Sequence, residues 1–212
     1  MTEQLSEAAV IVELSLGEYA LVRQTYQLEI AGAIQEYLDT PKAKVTKFRN
    51  IFKRAIANAF DDAMVIGYAD GGGGDFREEG SQEDKSWLTA KIEAEFGYVT
   101  MLFQQLKDLR DEGQEAYAGE AERRAAGYAK TLDGVYNEGR LRGAKNKMLT
   151  FGGDDGEESC RTCQKHKGQR HRASWWIKRG LVPGQPGNHN YECGGYNCRH
   201  YLFDDNGNLF TF

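Results

Sequence analysis

The sequence predicts an α+β protein: a long-helix N-terminal body over 1–147 and a small glycine-rich C-terminal β module over 148–212, stabilised by zinc. Three observations predict it. Apolar residues recur at three- and four-residue spacing through the first two thirds of the chain, the signature of amphipathic helices. After Met148 the texture changes to frequent glycine, with two of the three prolines. All four cysteines and all four histidines fall within the 41 residues from Cys160 to His200.

The first helix is expected over 5–38. Ala9, Val12, Leu16, Tyr19, Tyr26, Ile30, Ala33, Ile34 and Tyr37 mark its apolar face, and Asp39-Thr40-Pro41 ends it, since proline disfavours helical geometry in the residue before it. The second runs over 42–69 on Val45, Phe48, Ile51, Phe52, Ile56, Ala59, Phe60 and Ala63. It stops at Gly71-Gly72-Gly73-Gly74, because consecutive glycines lose too much backbone entropy to stay helical. Residues 70–84 read as a flexible linker. Ser81 with Asp84 three positions on suggests a capping box for a third helix, whose face is Trp87, Leu88, Ile92, Phe96, Val99, Leu102, Phe103, Leu106 and Leu109. Asp111-Glu112-Gly113 interrupts it, and a fourth helix follows over 114–147. Gly127, Gly134, Gly139 and Gly143 weaken that helix by roughly 1 kcal/mol each relative to alanine, which points to kinks or tight packing there.

In the module, 148–151 is a candidate strand and 173–179 a short helix. The tail reads as a β-hairpin, 199–203 and 209–212, around Asn206-Gly207, residues that tolerate positive φ.

A chain of 212 residues holds one large domain or two small ones. The net charge of −5 excludes a globally basic nucleic-acid binder. The acidic excess lies in 1–149; residues 150–212 carry eight Lys and Arg against seven Asp and Glu. No apolar run approaches the ~18–20 residues of a membrane span. Met1-Thr2-Glu3-Gln4 opens no signal peptide. The expectation is a reducing compartment, no membrane partner and thiols that stay free.

Cys160 and Cys163 are spaced C-x2-C, and after 29 residues Cys193 and Cys198 are spaced C-x4-C. Two such pairs from separate turns complete a tetrahedral zinc shell, and Gly194-Gly195 lets the backbone turn inside the second pair. The metal supplies stability that a small glycine-rich segment cannot draw from a core. Zn2+ held by these four thiolates is therefore expected. His200, two residues after Cys198, is the reserve ligand, and His166 can also replace a cysteine. Four unligated thiols and two disulfides are the competing readings. From Cys160 through Gly180, Arg161, Lys165, Lys167, Arg170, Arg172, Lys178 and Arg179 are unopposed by any acid, and Trp175-Trp176 lies among them. Basic residues interleaved with aromatics contact phosphates and stack on bases. The alternative is a solvated face with both tryptophans packed on the metal knuckle.

Ser159-Cys160-Arg161-Thr162-Cys163, then Gly168-Gln169, then Cys193 and Cys198-Arg199-His200, resemble the phage Mu F-like head morphogenesis family of minor capsid proteins. That family's C-terminal segment commonly reads Thr-Cys-x-x-Cys, Leu-x-Gly-Gln and a terminal Cys-Arg-Cys followed by a strand. The stretch from Phe48 to Gly67 and the helix leading to Met148-Leu149-Thr150 resemble its helical body. Two departures stand out: His200 occupies a cysteine position, and 181–190 is a long insertion. The resemblance implies a structural role in head assembly beside the portal, with the portal or major capsid protein as partner. It implies location in the virion head, and in the host cytoplasm during assembly, and carries over no catalytic residue. DNA contact would run through Arg161, Lys165, Lys167, Arg170 and Arg172.

Two other classes compete. An HNH-type metal-dependent nuclease needs a general-base histidine on a hairpin and a metal-binding residue on a following helix; His189-Asn190 or His200 are the residues available. A zinc-stabilised DNA-binding module is the other. No Ser-His-Asp or dinucleotide-binding pattern occurs, and Gly71–Gly74 lacks the Lys-Ser/Thr of a phosphate loop.

Overall fold

Helix α5 (Glu120–Gly143) is the axis on which the rest of the molecule is arranged. The structure, a computed structural model, describes residues 7–40, 42–113, 119–153, 159–185, 187–195 and 198–211, with side chains from residue 17 onward. Three other long helices pack beside α5: α1 (Glu7–Asp39), α2 (Val45–Asp70) and α4 (Gln82–Glu112). A short α3 (Phe76–Glu79) bridges α2 and α4. Then follow β1 (Met148–Gly153), α6 (Arg161–His166), β2 (Arg170–Arg172), α7 (Ala173–Lys178) and β3 (His200–Phe203). The fold is α+β, as expected. The termination at Pro41, the expected start of the fourth helix at 114–118, the side chains of Ala9, Val12 and Leu16, and Phe212 lie outside the described residues.

The four long helices share one core. Tyr26, Ile30, Ile34 and Tyr37 of α1, Phe48, Phe52, Ile56 and Phe60 of α2, Leu102, Phe103 and Leu106 of α4, and Leu132, Val135 and Tyr136 of α5 are all buried in it. Phe103 meets Tyr37 and Phe52 edge-on, with ring centroids 5.1 and 5.2 Å apart, the preferred geometry of aromatic pairs. Ser81 caps α4 as its sequence suggests: its hydroxyl accepts from the Asp84 backbone N–H at 3.2 Å, and the Asp84 carboxylate accepts from the Ser81 N–H at 3.1 Å.

The expected linker over 70–84 contains the short helix α3, with Phe76 buried and most of its neighbours exposed. Asp75 caps α3 by accepting from the Arg77 backbone N–H at 2.8 Å, and Phe76 is buried with its ring 5.4 Å from that of Tyr68. The glycines serve close approach. Gly67 and Gly71 of the α2 end face the Tyr136 and Arg140 carbonyls of α5, while Gly139 and Gly143 face Met64 and Tyr68. A Cβ at Gly139 would lie 2.9 Å from the Met64 oxygen; at Gly67, Gly71 or Gly143 it would overlap backbone of the facing segment outright. Two glycine pairs, each spaced by four, thus let α2 and α5 touch backbone to backbone. Gly67→Ala is expected to destabilise by on the order of 1–3 kcal/mol through overpacking, measured as a lower urea midpoint. Gly127→Ala, where a Cβ meets open space, is the control and should stabilise slightly. Equal effects of the two would overturn this account.

The sheet has strand order β2-β1-β3, antiparallel throughout, with Thr150 opposite both Arg170 and Phe203. Gly168 (φ 73°) turns the chain so that its N–H donates to the Phe151 carbonyl and Phe151 donates to the Gln169 carbonyl. The expected terminal hairpin forms only in part: Phe203 and Leu209 make a single bridge. The turn is wider than two residues because the Asp204 carboxylate organises it, accepting from the Asn206 and Asn208 N–H groups at 3.0 Å. A second core fills the module, with Leu141, Leu149, Phe151, Trp176, Val182, Tyr191, Leu202 and Phe210.

Candidate metal centre

Cys160 is the N-cap of α6 and Cys163 lies in its first turn, so the C-x2-C spacing is bent around a helix start and brings both sulfurs to one side. The second pair comes from the loop that follows Tyr191 and from the approach to β3. The ligand atoms of Cys160, Cys163 and Cys193 all lie within 4.8 Å of one another, and so do those of Cys163, Cys198 and His200. Cys163 belongs to both groups. The structure thus brings together all four predicted thiols and the reserve histidine in one cluster that can hold a metal ion. The Cys163 and Cys198 sulfurs are 3.8 Å apart. That is about the edge of a tetrahedron with metal–sulfur bonds of ~2.3 Å and far from the ~2.05 Å of a disulfide. All four cysteines are free, which disposes of the disulfide reading for this structure.

Backbone donors are aimed at the sulfurs. Burial pushes the Cys160 thiol up, but backbone hydrogen bonds from Cys163 and Cys193 outweigh it and leave the group below the ordinary thiol value. Burial pushes Cys163 up strongly, with the neighbouring thiols adding to it. Cys193 is raised chiefly by burial, against a backbone hydrogen bond from Gly195. A metal ion bound here would deprotonate these thiols outright. The glycine turn holds as expected: Gly194 (φ 61°) and Gly195 (φ 76°) are left-handed, and a Cβ on Gly195 would overlap the Gln185 carbonyl.

The wall behind the cluster is aromatic. The Phe151 ring stacks on His200 at 5.5 Å and lies 5.7 Å from Trp176, whose indole N–H donates to the Leu149 carbonyl at 3.3 Å. The Glu192 carboxylate accepts from the Arg161 backbone N–H at 3.0 Å and so ties the second knuckle to the first. That acid's tie to Arg161 and the stacking of Tyr191 on Phe151 escaped sequence reading because both join segments far apart in the chain.

The other histidines lie elsewhere. His166 is buried, with Nδ1 2.9 Å from the Gln169 side-chain oxygen. His171 stacks on Trp175 at 3.7 Å. His189 is exposed and lines a cleft of about 340 Å³ with Trp87, Lys91 and Asn188. No helix follows β3 over 204–211. The basic stretch is exposed at Arg161, Lys165, Lys167, Arg170 and Arg172, and Arg170 pairs with Asp205 at 2.6 Å. The tryptophans depart from the base-stacking expectation: Trp176 is fully buried, and Trp175 is engaged by His171 and by the Arg179 guanidinium 4.1 Å from its ring.

A buried ionic cluster with no sequence signature joins α4 to α5 and the segment after it, and the module reaches it through Gln185. Arg142 on α5 donates to Asp84 and to Glu138, both at 2.7 Å, and Lys145 reaches Asp84 at 3.1 Å. Gln185 from the 181–190 insertion donates to Glu138 at 2.6 Å. No helix among the described residues is long and apolar enough to cross a membrane. No family model, curated protein or solved structure matches the chain.

Proposed function

We propose that the chain is a minor head protein of a tailed phage or prophage, acting structurally in capsid assembly beside the portal, with its C-terminal module built around one Zn2+. The observation that carries this reading is the convergence of Cys160, Cys163, Cys193 and Cys198 in the motif order of the family the sequence resembles. Four thiolates close a tetrahedral shell and leave no open position for a substrate, so the metal's role is to hold the module together. The long-helix body then offers the surface for the portal or major capsid protein. His200 supports the shell from its edge.

A phosphate-contacting face is a second part of the proposal, favoured by the exposure of Arg161, Lys165, Lys167 and Arg172 on one module. Affinity for duplex DNA should fall steeply between low and moderate salt if they act together, and reversing two of the four charges should flatten that slope. A slope unchanged by the reversal would remove DNA from the partners.

The head reading is tested by purifying particles induced from the host that carries the gene. Mass spectrometry should find the chain in mature heads at low copy, and its gene should adjoin the portal gene. Particles that lack it count against the reading. Elemental analysis of the purified chain should return one zinc per molecule; protein that folds without metal and alkylates at all four thiols would rule the zinc out.

A further inference from the structure

We propose that the Tyr191 hydroxyl donates a hydrogen bond to the thiolates of the metal centre, on the edge formed by Cys163 and Cys198, and so sets how tightly the metal is held. This rests on the zinc reading above and adds to it a residue that is not a ligand. Tyr191 is 2% exposed and belongs to the module's core, against which Cys160, Cys193 and Cys198 pack. Its position is fixed from several sides. Its backbone N–H donates to the Asn188 carbonyl at 3.1 Å, and its carbonyl accepts from the Gly194 N–H at 2.9 Å, inside the turn that carries Cys193. Its ring stacks on Phe151. Yet the hydroxyl at the end of that ring is buried and has no hydrogen-bond partner among the described residues. Buried hydroxyls are nearly always paired, and one left unpaired costs free energy.

The surroundings name the acceptor. Burial first, then negative charge on Cys198, Cys163, Cys193 and Cys160, pushes the phenol up, so it keeps its proton and remains a donor. All four sulfurs are thus within electrostatic reach of the hydroxyl, Cys198 and Cys163 most strongly. A neutral thiol is a weak acceptor. A thiolate carries charge, and hydrogen bonds to charged acceptors are about twice as strong as neutral ones. Four thiolates around a divalent cation leave negative charge in excess, here beside a wall of aromatic rings. Backbone N–H groups of Cys163, Cys193 and Gly195 offset it at Cys160 and Cys193. The Cys163 and Cys198 sulfurs, 3.8 Å apart, form another edge of the cluster, and the Tyr191 hydroxyl is the donor placed to serve it. Groups that support ligands in this way commonly contribute roughly 10–100-fold to metal affinity.

Titration of the full, reduced chain with Co2+ tests it, since cobalt can stand in for zinc and reports its ligands by colour. The wild type should develop the visible bands of tetrahedral cobalt and a near-ultraviolet sulfur-to-metal charge-transfer band. Tyr191→Phe keeps the ring and its packing on Phe151. It should bind cobalt about ten-fold more weakly, with the visible bands unchanged because the ligands are the same. Its charge-transfer band should move to longer wavelength because the sulfurs have lost a donor. Tyr201→Phe, on the opposite face of β3 from His200, should match the wild type. If Tyr191 only packs, phenylalanine will bind cobalt as tightly or more tightly, since it removes an unpaired hydroxyl. That outcome overturns the proposal and leaves the zinc reading standing, as does weaker binding with an unmoved charge-transfer band. A wild type that takes up no cobalt, or takes it up without thiolate bands, overturns the zinc reading and this proposal with it. In zinc-loaded Tyr191→Phe, alkylation mapped by mass spectrometry should accelerate at Cys163 and Cys198; equal acceleration at all four thiols overturns the assignment to that edge.

Discussion

Replacing Cys163 by serine is expected to release the metal and unfold the C-terminal module while the four-helix body stays folded. Cys163 is the one ligand common to both groups of the cluster, and it is almost wholly buried. Structural zinc supplies roughly 10–16 kcal/mol to small zinc-finger peptides, more than a core the size of this module's can replace. The two cores are separate clusters, so loss of one need not dissolve the other. Elemental analysis should show zinc below a tenth of the wild-type content. The near-UV signal of Trp175 and Trp176 should collapse with far-UV helicity largely kept. His200→Ala should retain the metal. If zinc survives Cys163→Ser, the shell assignment is wrong; if His200→Ala loses zinc while Cys193→Ser keeps it, the shell is Cys3His.

Arg142→Met should cost the protein about 3–5 kcal/mol, because it takes the guanidinium from the buried Glu138 carboxylate and leaves buried Asp84 with Lys145 as its cation. For a chain of this size that corresponds to a fall in melting temperature of roughly 6–20 °C. Adding Asp84→Asn and Glu138→Gln removes these buried charges and should restore much of the loss, which simple loss of packing would not allow. The same cluster sets an acid limit. Burial pushes Asp84 up, but hydrogen bonds from Ser81, Arg142 and Lys145 overcome it and hold the carboxyl below the usual range. Its contribution is present above the unfolded-state value of ~3.9 and is lost as pH falls through the lower folded value. Urea midpoints measured from pH 6 downward should therefore drop less in Asp84→Asn than in the wild type.

The long helices were legible because each carries its own period: Phe48, Phe52, Ile56 and Phe60 announce the buried face of α2 without reference to any other element. The Ser81–Asp84 cap was legible for the same local reason, and the metal cluster through its spacing. What escaped were contacts that only the assembled fold creates. The glycine run at 71–74 carries no period, and the close approach of Gly71 and Gly73 to the end of α5 exists only in the assembled fold. Phe76 is a lone aromatic among charges and glycines, with no period to reveal its burial. Asp84, Glu138 and Arg142 look like ordinary helix-surface charge, since 54 residues separate the first two and nothing in either neighbourhood marks the pair. The turn over 204–208 between Phe203 and Leu209 was legible, while the buried Asp204 carboxylate that organises it was not.

Helix α5 contributes Ala121 to Tyr136 to one core and Leu141 to the other, so no slack tether joins the two halves. A load placed on the module is carried along the axis of that helix into the body, where the glycine contact with α2 resists sliding. Pulled from its C-terminus, the molecule should fail in order. The β3 edge and the thiol cluster yield first as a discrete event, and the four-helix body follows at a separate force.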